Sequence, residues 1–292
     1  MITFFAFKST RQVEPMNKTV LTVAGSDPSG GAGIQQDMRV FTCLGLYSCA
    51  AITAITVQNT KGVKRVCPVE GKLLQEQVEA VLEDIDVGGI KVGMLATKEN
   101  VESLATAFYE KREAWIVADP VMRSKNGAVL LDDAAWHSYE ANLLPRIDIL
   151  TPNLQEASVI SSMDIGSIEE MEKAARIIYQ KMGRKRISLN DYGVYLKGGH
   201  LEDPDKSVDI FYFDNKAIYL VGDRIDNIHT HGTGCALSSA LCGYLSMGKP
   251  PEVAARLAKE FVSKAIEAGF PLGNGIGPVN PLAFLKFQNR LY

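Results

Sequence analysis

The chain has 292 residues, of which 46% are hydrophobic and 22% charged, a composition typical of a globular protein with a sizeable core. Its 31 basic and 34 acidic residues give a formal net charge of −3, which argues against binding to nucleic acid or to an anionic membrane. The five cysteines show neither Cys-x-x-Cys nor zinc-ligand spacing, which favours a reducing compartment and predicts a cytoplasmic protein. No apolar stretch of the sequence is long enough for a membrane span.

The first residues of the chain differ in character from the rest. We expect residues 1–16 to form an N-terminal extension, followed by a single domain of residues 17–292. In the extension the basic residues Lys8 and Arg11 follow the apolar run, which is the reverse of a secretory signal. No linker, internal repeat or low-complexity tract divides the remainder.

Strand-like and helix-like segments alternate along this domain. In chain order the patterns predict a strand at 19–24, a helix with apolar positions from 34 to 44, a strand at 48–57, a helix across 74–85, a strand at 89–94, a helix at 100–110, strands at 115–118 and 147–150, a helix opening at 153, a helix from 167 to about 183, a strand at 194–196, a hairpin of 209–213 and 217–221, and helices at about 234–246 and 251–268. This alternation predicts an α/β fold in which helices cover both faces of a mostly parallel sheet. Loops that follow strands then gather at the carboxyl edge, where open α/β sheets bind ligands.

The most informative segment is a Gly-x-Gly turn, Gly232-Thr233-Gly234, which runs directly into Cys235 and a helix-like stretch. Free backbone N–H groups and the positive end of a helix dipole at such a turn suit a phosphate or a developing anion. The same dipole is expected to lower the pKa of the Cys235 thiol. By itself this segment also matches an ordinary turn followed by a buried structural cysteine.

A second glycine-rich loop, from Gly25 to Gly33, joins the first strand to the first helix. It lacks the Gly-Lys-Ser/Thr end of a Walker A loop and the third glycine of a dinucleotide fingerprint, so an NAD-linked enzyme is disfavoured. A tight turn explains one or two of its glycines, whereas four imply close approach of the backbone to a ligand.

Polar residues follow several of the predicted strands. Glu156 stands three residues after Asn153, the spacing of a capping box, and it also suits a carboxylate that reaches Mg²⁺ beside nucleotide phosphates together with Asp119. The amide of Gln58 can donate and accept in one plane, which matches the amino group and ring nitrogen of an aminopyrimidine. Lys197 is plausible near phosphate. A solvated loop residue remains the alternative for Gln58 and for Lys197.

Taken together, these loops resemble one family closely. The matching segments occur in the order Ala24–Ile34, Gln58–Thr60, Lys91–Leu95, Asp119–Met122, Thr151–Ala157, Lys197–His200, His231–Cys235 and Gly275–Val279. From about residue 18 to the C-terminus the chain resembles the hydroxymethylpyrimidine/phosphomethylpyrimidine kinases of thiamine biosynthesis, within the ribokinase-like superfamily. The resemblance implies a three-layer α/β/α fold, usually a homodimer, and phosphorylation of a small-molecule substrate, first to the monophosphate and then to the diphosphate, with ATP and Mg²⁺.

The resemblance also assigns residues to parts of the site. The implied sets are Gly25, Asp37, Gln58 and Val121 around the pyrimidine; Gly232, Thr233, Gly234 and Cys235 at the transferring phosphoryl group; Asp119 and Glu156 at Mg²⁺; and Asn153 and Lys197 on the nucleotide side. The chain departs from the family pattern at Ala236, where threonine is common, and in a connection over 181–195 that is longer than usual and holds the basic patch 184–186.

Cysteine at position 235 stands where related sugar kinases carry the aspartate that accepts the proton of the substrate hydroxyl. In the second phosphorylation the nucleophile is already an anion, which a carboxylate would repel. Two other functions stay open. A pyridoxal kinase acts on a similar hydroxymethyl ring, although Gln58 favours the aminopyrimidine, and a non-catalytic pyrimidine sensor would be expected to lack the elements around Asp119 and Glu156.

Overall fold

The computed structural model describes residues 18–108, 113–123, 127, 129–183, 187, 190–199, 201 and 205–288. The predicted extension of residues 1–16, the basic patch 184–186 and His200 lie outside the described residues. The strands are β1 (Thr19–Ser26), β2 (Tyr47–Asn59), β3 (Gly62–Pro68), β4 (Val87–Val92), β5 (Trp115–Ala118), β6 (Ile149–Leu150), β7 (Gly193–Leu196), β8 (Lys206–Phe213) and β9 (Lys216–Asp223). The α-helices are α1 (Gly33–Cys43), α2 (Gly71–Asp84), α3 (Lys98–Ala107), α4 (Asp133–Ser138), α5 (Leu154–Ser161), α6 (Ile168–Gly183), α7 (Thr233–Ser246), α8 (Pro251–Glu267) and α9 (Leu282–Gln288).

These nine strands form one sheet in the order β3-β2-β1-β4-β5-β6-β7-β8-β9. Pairing is parallel from β2 through β7 and antiparallel where β3, β8 and β9 extend the two edges. The mostly parallel sheet predicted from the alternation of elements is therefore confirmed. Because β1 and β4 to β7 all run in the same direction, the loops that follow them emerge at one edge.

Helices cover both faces of the sheet, which gives the expected three layers. Helices α1, α7, α8 and α9 pack on one face, and α2 to α6 pack on the other. Alternation along β1 explains the arrangement, because Leu21 and Val23 enter the core beneath α2 and α3 while Val20 enters the core beneath α1 and α7. None of the helices in the described ranges is both long and apolar enough to cross a lipid bilayer.

The sequence patterns missed a few elements. Strand β3 was not predicted because its exposed Lys64 and Arg65 interrupt the apolar alternation. Charged residues of this kind keep an edge strand from pairing with other chains. The short helices α4 and α9 offered too few turns for a periodic signal. The predicted hairpin is confirmed, with Asp214 and Asn215 at φ of 48° and 57° in its two-residue turn.

Candidate functional site

A cavity of about 1100 Å³ opens at the carboxyl edge of the sheet and continues between the β8–β9 hairpin and α8. Its volume lies slightly above the usual range for a single small-molecule pocket. Eleven of the residues singled out in the sequence line it: Gly25, Gln58, Asp119, Val121, Asn153, Glu156, Lys197, Gly232, Thr233, Gly234 and Cys235. Asp37 does not line the cavity.

The N-terminus of α7 projects into the middle of this cavity. Gly232 is its N-cap residue with φ of 82°, and no side chain in the described part of the chain caps the helix. A Cβ atom on Gly232 would lie 1.8 Å from the carbonyl oxygen of Gly31, so only glycine allows the two glycine-rich loops to approach. The backbone N–H of Thr233 donates to the Thr230 carbonyl at 3.4 Å, so those of Gly234 and Cys235 are the ones that face the cavity with the positive end of the helix dipole.

The Cys235 thiol differs from the sequence-based expectation. Burial raises its pKa to about 11, although the positive charge of Lys91 and a hydrogen bond from the Gly33 backbone act in the opposite direction. The carboxylates of Asp37 and Asp119 add to the increase. The expectation of a lowered pKa was wrong. The free-energy penalty for removing a thiolate from water is larger here than the stabilisation that the helix dipole provides. Near neutral pH the side chain is therefore a neutral thiol.

Two oppositely charged residues face the start of α7. The Nζ atom of Lys197 lies 2.7 Å from Oδ1 of Asp119, and both side chains are largely buried. Although burial acts against its charged form, the negative charges of Asp119 and Glu156 raise the pKa of Lys197. A Cβ atom on Gly234 would lie 3.0 Å from Oδ2 of Asp119 and 3.3 Å from this Nζ atom. A side chain at position 234 would therefore crowd this pair, and glycine lets the start of α7 lie close to both the cation and the carboxylate.

Glu156 combines the two roles that its spacing allowed. The backbone N–H of Asn153 donates to Glu156 Oε2 at 2.8 Å, and the backbone N–H of Glu156 donates to Asn153 Oδ1 at 2.9 Å, which confirms the capping box. The same carboxyl group lines the cavity although it is only 5% exposed. Burial raises its pKa to about 7, and the nearby charge of Asp119 contributes to the increase while Lys197 opposes it.

Asp37 and Lys91 form a buried ion pair beneath the cavity. Lys91 Nζ lies 2.8 Å from Asp37 Oδ2, and neither side chain is exposed. Asp37 also accepts hydrogen bonds from the hydroxyl groups of Thr22 at 2.7 Å and Ser239 at 2.8 Å. Of the pair, Lys91 lines the cavity and Asp37 lies behind it, so the expectation that Asp37 borders the ligand directly was wrong.

The end of the cavity next to the Gly25–Gly33 loop holds a second cluster, around Gln58. Its amide lies 3.3 Å from Nε2 of His231, and that nitrogen lies 3.0 Å from Oδ2 of Asp27. The imidazole also packs directly on Gly31, where a Cβ atom would come within 2.3 Å of the ring. The backbone of His231 is held on the other side by a parallel bridge to Pro278 in the Gly-Ile-Gly-Pro-Val segment.

Several residues of the site were not singled out in the sequence. Lys91 offered a usable signal, since a lysine within an apolar strand needs a buried partner. Asp27 and His231 lie within recognised motifs but gave no individual signal. At the far end of the cavity Lys259 donates to Ser207 at 3.1 Å and to Asp209 at 2.8 Å, a cluster that no local pattern indicated. Ala236 is fully buried in the core and is not among the cavity-lining residues, so its departure from the family pattern does not alter the site surface.

The donor set next to α7 is compatible with Mg²⁺. Asp119 uses Oδ1 for Lys197, while Oδ2 faces the start of α7, and the Glu156 carboxyl group lies at the same wall of the cavity. No cluster of three or more His, Cys, Asp or Glu side chains within the described ranges forms a metal cage. One or two carboxylates suit Mg²⁺, which takes its remaining ligands from water and nucleotide phosphates.

Comparisons with known proteins agree with this geometry. The family model for phosphomethylpyrimidine kinase matches residues 27–280. The thiamine biosynthesis bifunctional protein ThiED of Geobacter sulfurreducens is 42% identical over 263 residues, which are 90% of this chain and 52% of that protein. The chain therefore spans about half the length of this relative. The hydroxymethylpyrimidine/phosphomethylpyrimidine kinase of Staphylococcus aureus is 36% identical over 269 residues, 92% of this chain and 95% of that protein.

A solved structure gives a similar picture. The pyridoxal kinase from Staphylococcus aureus in complex with AMP-PCP and pyridoxal superposes with a TM-score of 0.81 at 34% identity, covering 92% of this chain and 95% of that chain. The three-layer arrangement described above is thus a ribokinase-like fold.

Proposed function

This chain belongs to the phosphomethylpyrimidine kinase family, and we propose that it phosphorylates 4-amino-5-hydroxymethyl-2-methylpyrimidine with ATP, first to the monophosphate and then to the diphosphate. The observation that carries the proposal is the position of the α7 N-terminus in the cavity. The amides that begin at Gly232 lie between Gln58 at one end and the Asp119–Lys197 pair on the facing wall. A phosphoryl group held there would have the pyrimidine hydroxyl on one side and the nucleotide on the other.

The nucleotide side of the proposal is supported by the similar pyridoxal kinase, whose structure contains the ATP analogue AMP-PCP. In this chain Lys197 is placed to neutralise phosphate oxygens, and Asn153 lies beside it through a parallel bridge between the two residues. Asp119 and Glu156 would hold Mg²⁺ together with those phosphates. When bound, the ion would supply positive charge to the phosphate oxygens.

The transfer itself needs positioning and charge stabilisation more than a strong base. The substrate oxygen attacks the γ-phosphorus atom, the bond from that phosphorus to the β–γ bridging oxygen breaks, and ADP leaves with the bond electrons. In the first step the hydroxyl proton is lost late, to a transferred phosphoryl oxygen or to water. Cys235, a neutral thiol near pH 7, occupies the place of a base without placing a negative charge beside the already anionic nucleophile of the second step.

A second candidate function is the phosphorylation of pyridoxal. It is favoured by the similarity to the Staphylococcus aureus pyridoxal kinase, which was solved with pyridoxal bound. The amide of Gln58 argues for the pyrimidine, because pyridoxal lacks the amino group next to a ring nitrogen that such an amide would pair with.

A mass-resolved kinase assay tests both candidates. The full chain is incubated with Mg-ATP and either the hydroxymethylpyrimidine or pyridoxal, and products are followed over time. Sequential formation of pyrimidine monophosphate and diphosphate supports the proposal, whereas phosphorylation of pyridoxal alone contradicts it. Asp119→Asn should abolish transfer, and Asp214→Asn, at an exposed hairpin turn, is the matched control that should keep it.

We also infer that the chain works in the cytoplasm and forms a homodimer. All five cysteines are free thiols, which suits the reducing cytoplasm, and the family resemblance implies a homodimer. Sedimentation of the purified chain at several concentrations tests whether it forms a homodimer.

A further inference from the structure

A chain of polar contacts crosses the substrate end of the cavity. Asp27 Oδ2 lies 3.0 Å from Nε2 of His231, and the amide nitrogen Nε2 of Gln58 lies 3.3 Å from the same ring nitrogen. The hydroxyl group of Thr56 lies 3.4 Å from the amide oxygen Oε1 of Gln58 and 2.9 Å from the carbonyl oxygen of Ser26. The direction of each hydrogen bond in this chain follows from the groups at its two ends.

At the first end, Asp27 is ionised. It is 2% exposed and accepts hydrogen bonds from the backbone and hydroxyl of Ser29 at 2.9 and 2.7 Å and from the backbone of Ala32 at 2.9 Å. Burial alone would raise its pKa, but the hydrogen bonds from His231 and Ser29 hold the pKa below its ordinary value. A carboxylate can only accept, so Nε2 of His231 carries a hydrogen and donates to it. That nitrogen therefore cannot accept a hydrogen bond from Gln58.

At the second end, Thr56 has a single hydroxyl hydrogen. The contact to the Ser26 carbonyl at 2.9 Å is far better than the contact to Gln58 at 3.4 Å, so the hydrogen goes to Ser26. The Thr56 oxygen then offers only a lone pair to the amide. The orientation in the structure therefore sets two donors against each other at His231. Both neighbours favour the reversed amide, whose carbonyl oxygen shares the His231 Nε2 hydrogen with Asp27 and whose NH₂ group donates to Thr56.

We propose that Asp27, acting through His231, fixes the orientation of the Gln58 amide and so determines which ring edge the site accepts. The two ends of an amide have nearly the same shape, and the hydrogen-bond network decides between them. In the fixed orientation one carbonyl lone pair and one N–H of Gln58 remain for a ligand. Asp27 and His231 are positioning residues in this scheme, and Thr56 completes it.

The consequence, which rests on the proposed function, concerns substrate selection. A 4-aminopyrimidine edge presents an amino donor beside a ring-nitrogen acceptor. The amino group then pairs with the carbonyl oxygen of the fixed amide, and the ring nitrogen pairs with its N–H. The 4-oxo analogue of the same hydroxymethylpyrimidine presents an acceptor beside an N–H donor, the reverse pattern. A free amide could rotate to accept either ring, whereas the fixed amide rejects the oxo analogue, and a preference of at least about a hundredfold in kcat/KM is expected.

The test compares phosphorylation of the amino and oxo pyrimidines by the wild-type chain and four variants. His231→Asn and Thr56→Val each release one end of the amide and should reduce the amino-over-oxo preference by about tenfold, the worth of one neutral hydrogen bond. Thr56→Ser keeps the hydroxyl and should restore the preference. Thr106→Val, on the exposed surface of α3, is the matched control and should leave both substrates unaffected.

The outcomes separate this inference from the proposed function. If the wild-type chain phosphorylates the aminopyrimidine but Thr56→Val and His231→Asn keep its full selectivity, the inference is overturned and the function stands. If neither pyrimidine is phosphorylated, the proposed function fails, and ¹⁵N NMR of labelled histidines then decides the network alone, with His231→Asn assigning the signal. Hydrogen on Nε2 supports the fixed amide, and hydrogen on Nδ1 alone overturns it.

Discussion

The buried ion pair beneath the cavity should show strong energetic coupling. Lys91 and Asp37 are fully buried at 2.8 Å, and with an effective dielectric constant of about 20 their attraction is about 6 kcal/mol. Loss of hydration by both ions offsets much of that attraction, so the net contribution of the pair is smaller. Removing one partner is a different perturbation, because it leaves the other charge buried without its counter-ion.

We therefore expect Asp37→Asn and Lys91→Met each to lower the free energy of unfolding by about 3–5 kcal/mol. The double variant should lose at least about 2 kcal/mol less than the sum of the two. Urea denaturation at pH 7, monitored by circular dichroism, gives the free energy of unfolding of the wild-type chain, the two single variants and the double variant. Single and double losses that add within about 0.5 kcal/mol would refute the reasoning, since the two charges would then act independently.

An exposed ion pair of similar length provides the control. Lys206 Nζ lies 2.7 Å from Asp223 Oδ1, but the two side chains are 51% and 85% exposed. Solvent screening should reduce the coupling between them below what denaturation can resolve. A large coupling at this pair would show that distance, not burial, sets the effect.

Three further predictions concern the site. Gly232→Ala should abolish phosphoryl transfer, and in thermal denaturation it should destabilise the fold more than Gly45→Ala. Both glycines have positive φ (82° and 76°), but only at Gly232 would a new Cβ atom have backbone atoms within 4 Å. Equal losses at the two glycines would contradict this. The raised pKa of Glu156, about 7 against an ordinary 4.5, means that between these values the native state binds more protons than the unfolded chain, so stability falls as pH rises through this range. Glu156→Gln should remove about 3 kcal/mol of that decline in pH-dependent urea titrations, and an unchanged pH profile would argue against a raised pKa. Cys235→Asp should keep the first phosphorylation and slow the second by at least about tenfold, because its carboxylate repels the substrate phosphate; equal losses in both steps in the mass-resolved assay would rule this out.

Local sequence was sufficient where neighbouring residues alone determine the structure. The Asn153–Glu156 capping box and the Asp214–Asn215 turn depend on contacts within four positions of the chain, and both were predicted. The strand–helix alternation placed the loops at one edge of a parallel sheet, because the connection rules allow little else. Those rules explain why most of the candidate site residues line one cavity.

What the sequence by itself determined is therefore the order of the elements and the edge at which the chemistry collects. Only the tertiary structure decided how the charges there are arranged. Asp27 and His231 are 204 positions apart, and Asp37 and Lys91 are 54 apart, so no local pattern could pair them. The pKa of Cys235 was predicted in the wrong direction for the same reason. Burial and distant carboxylates outweigh the helix dipole, and both arise only when the chain has folded.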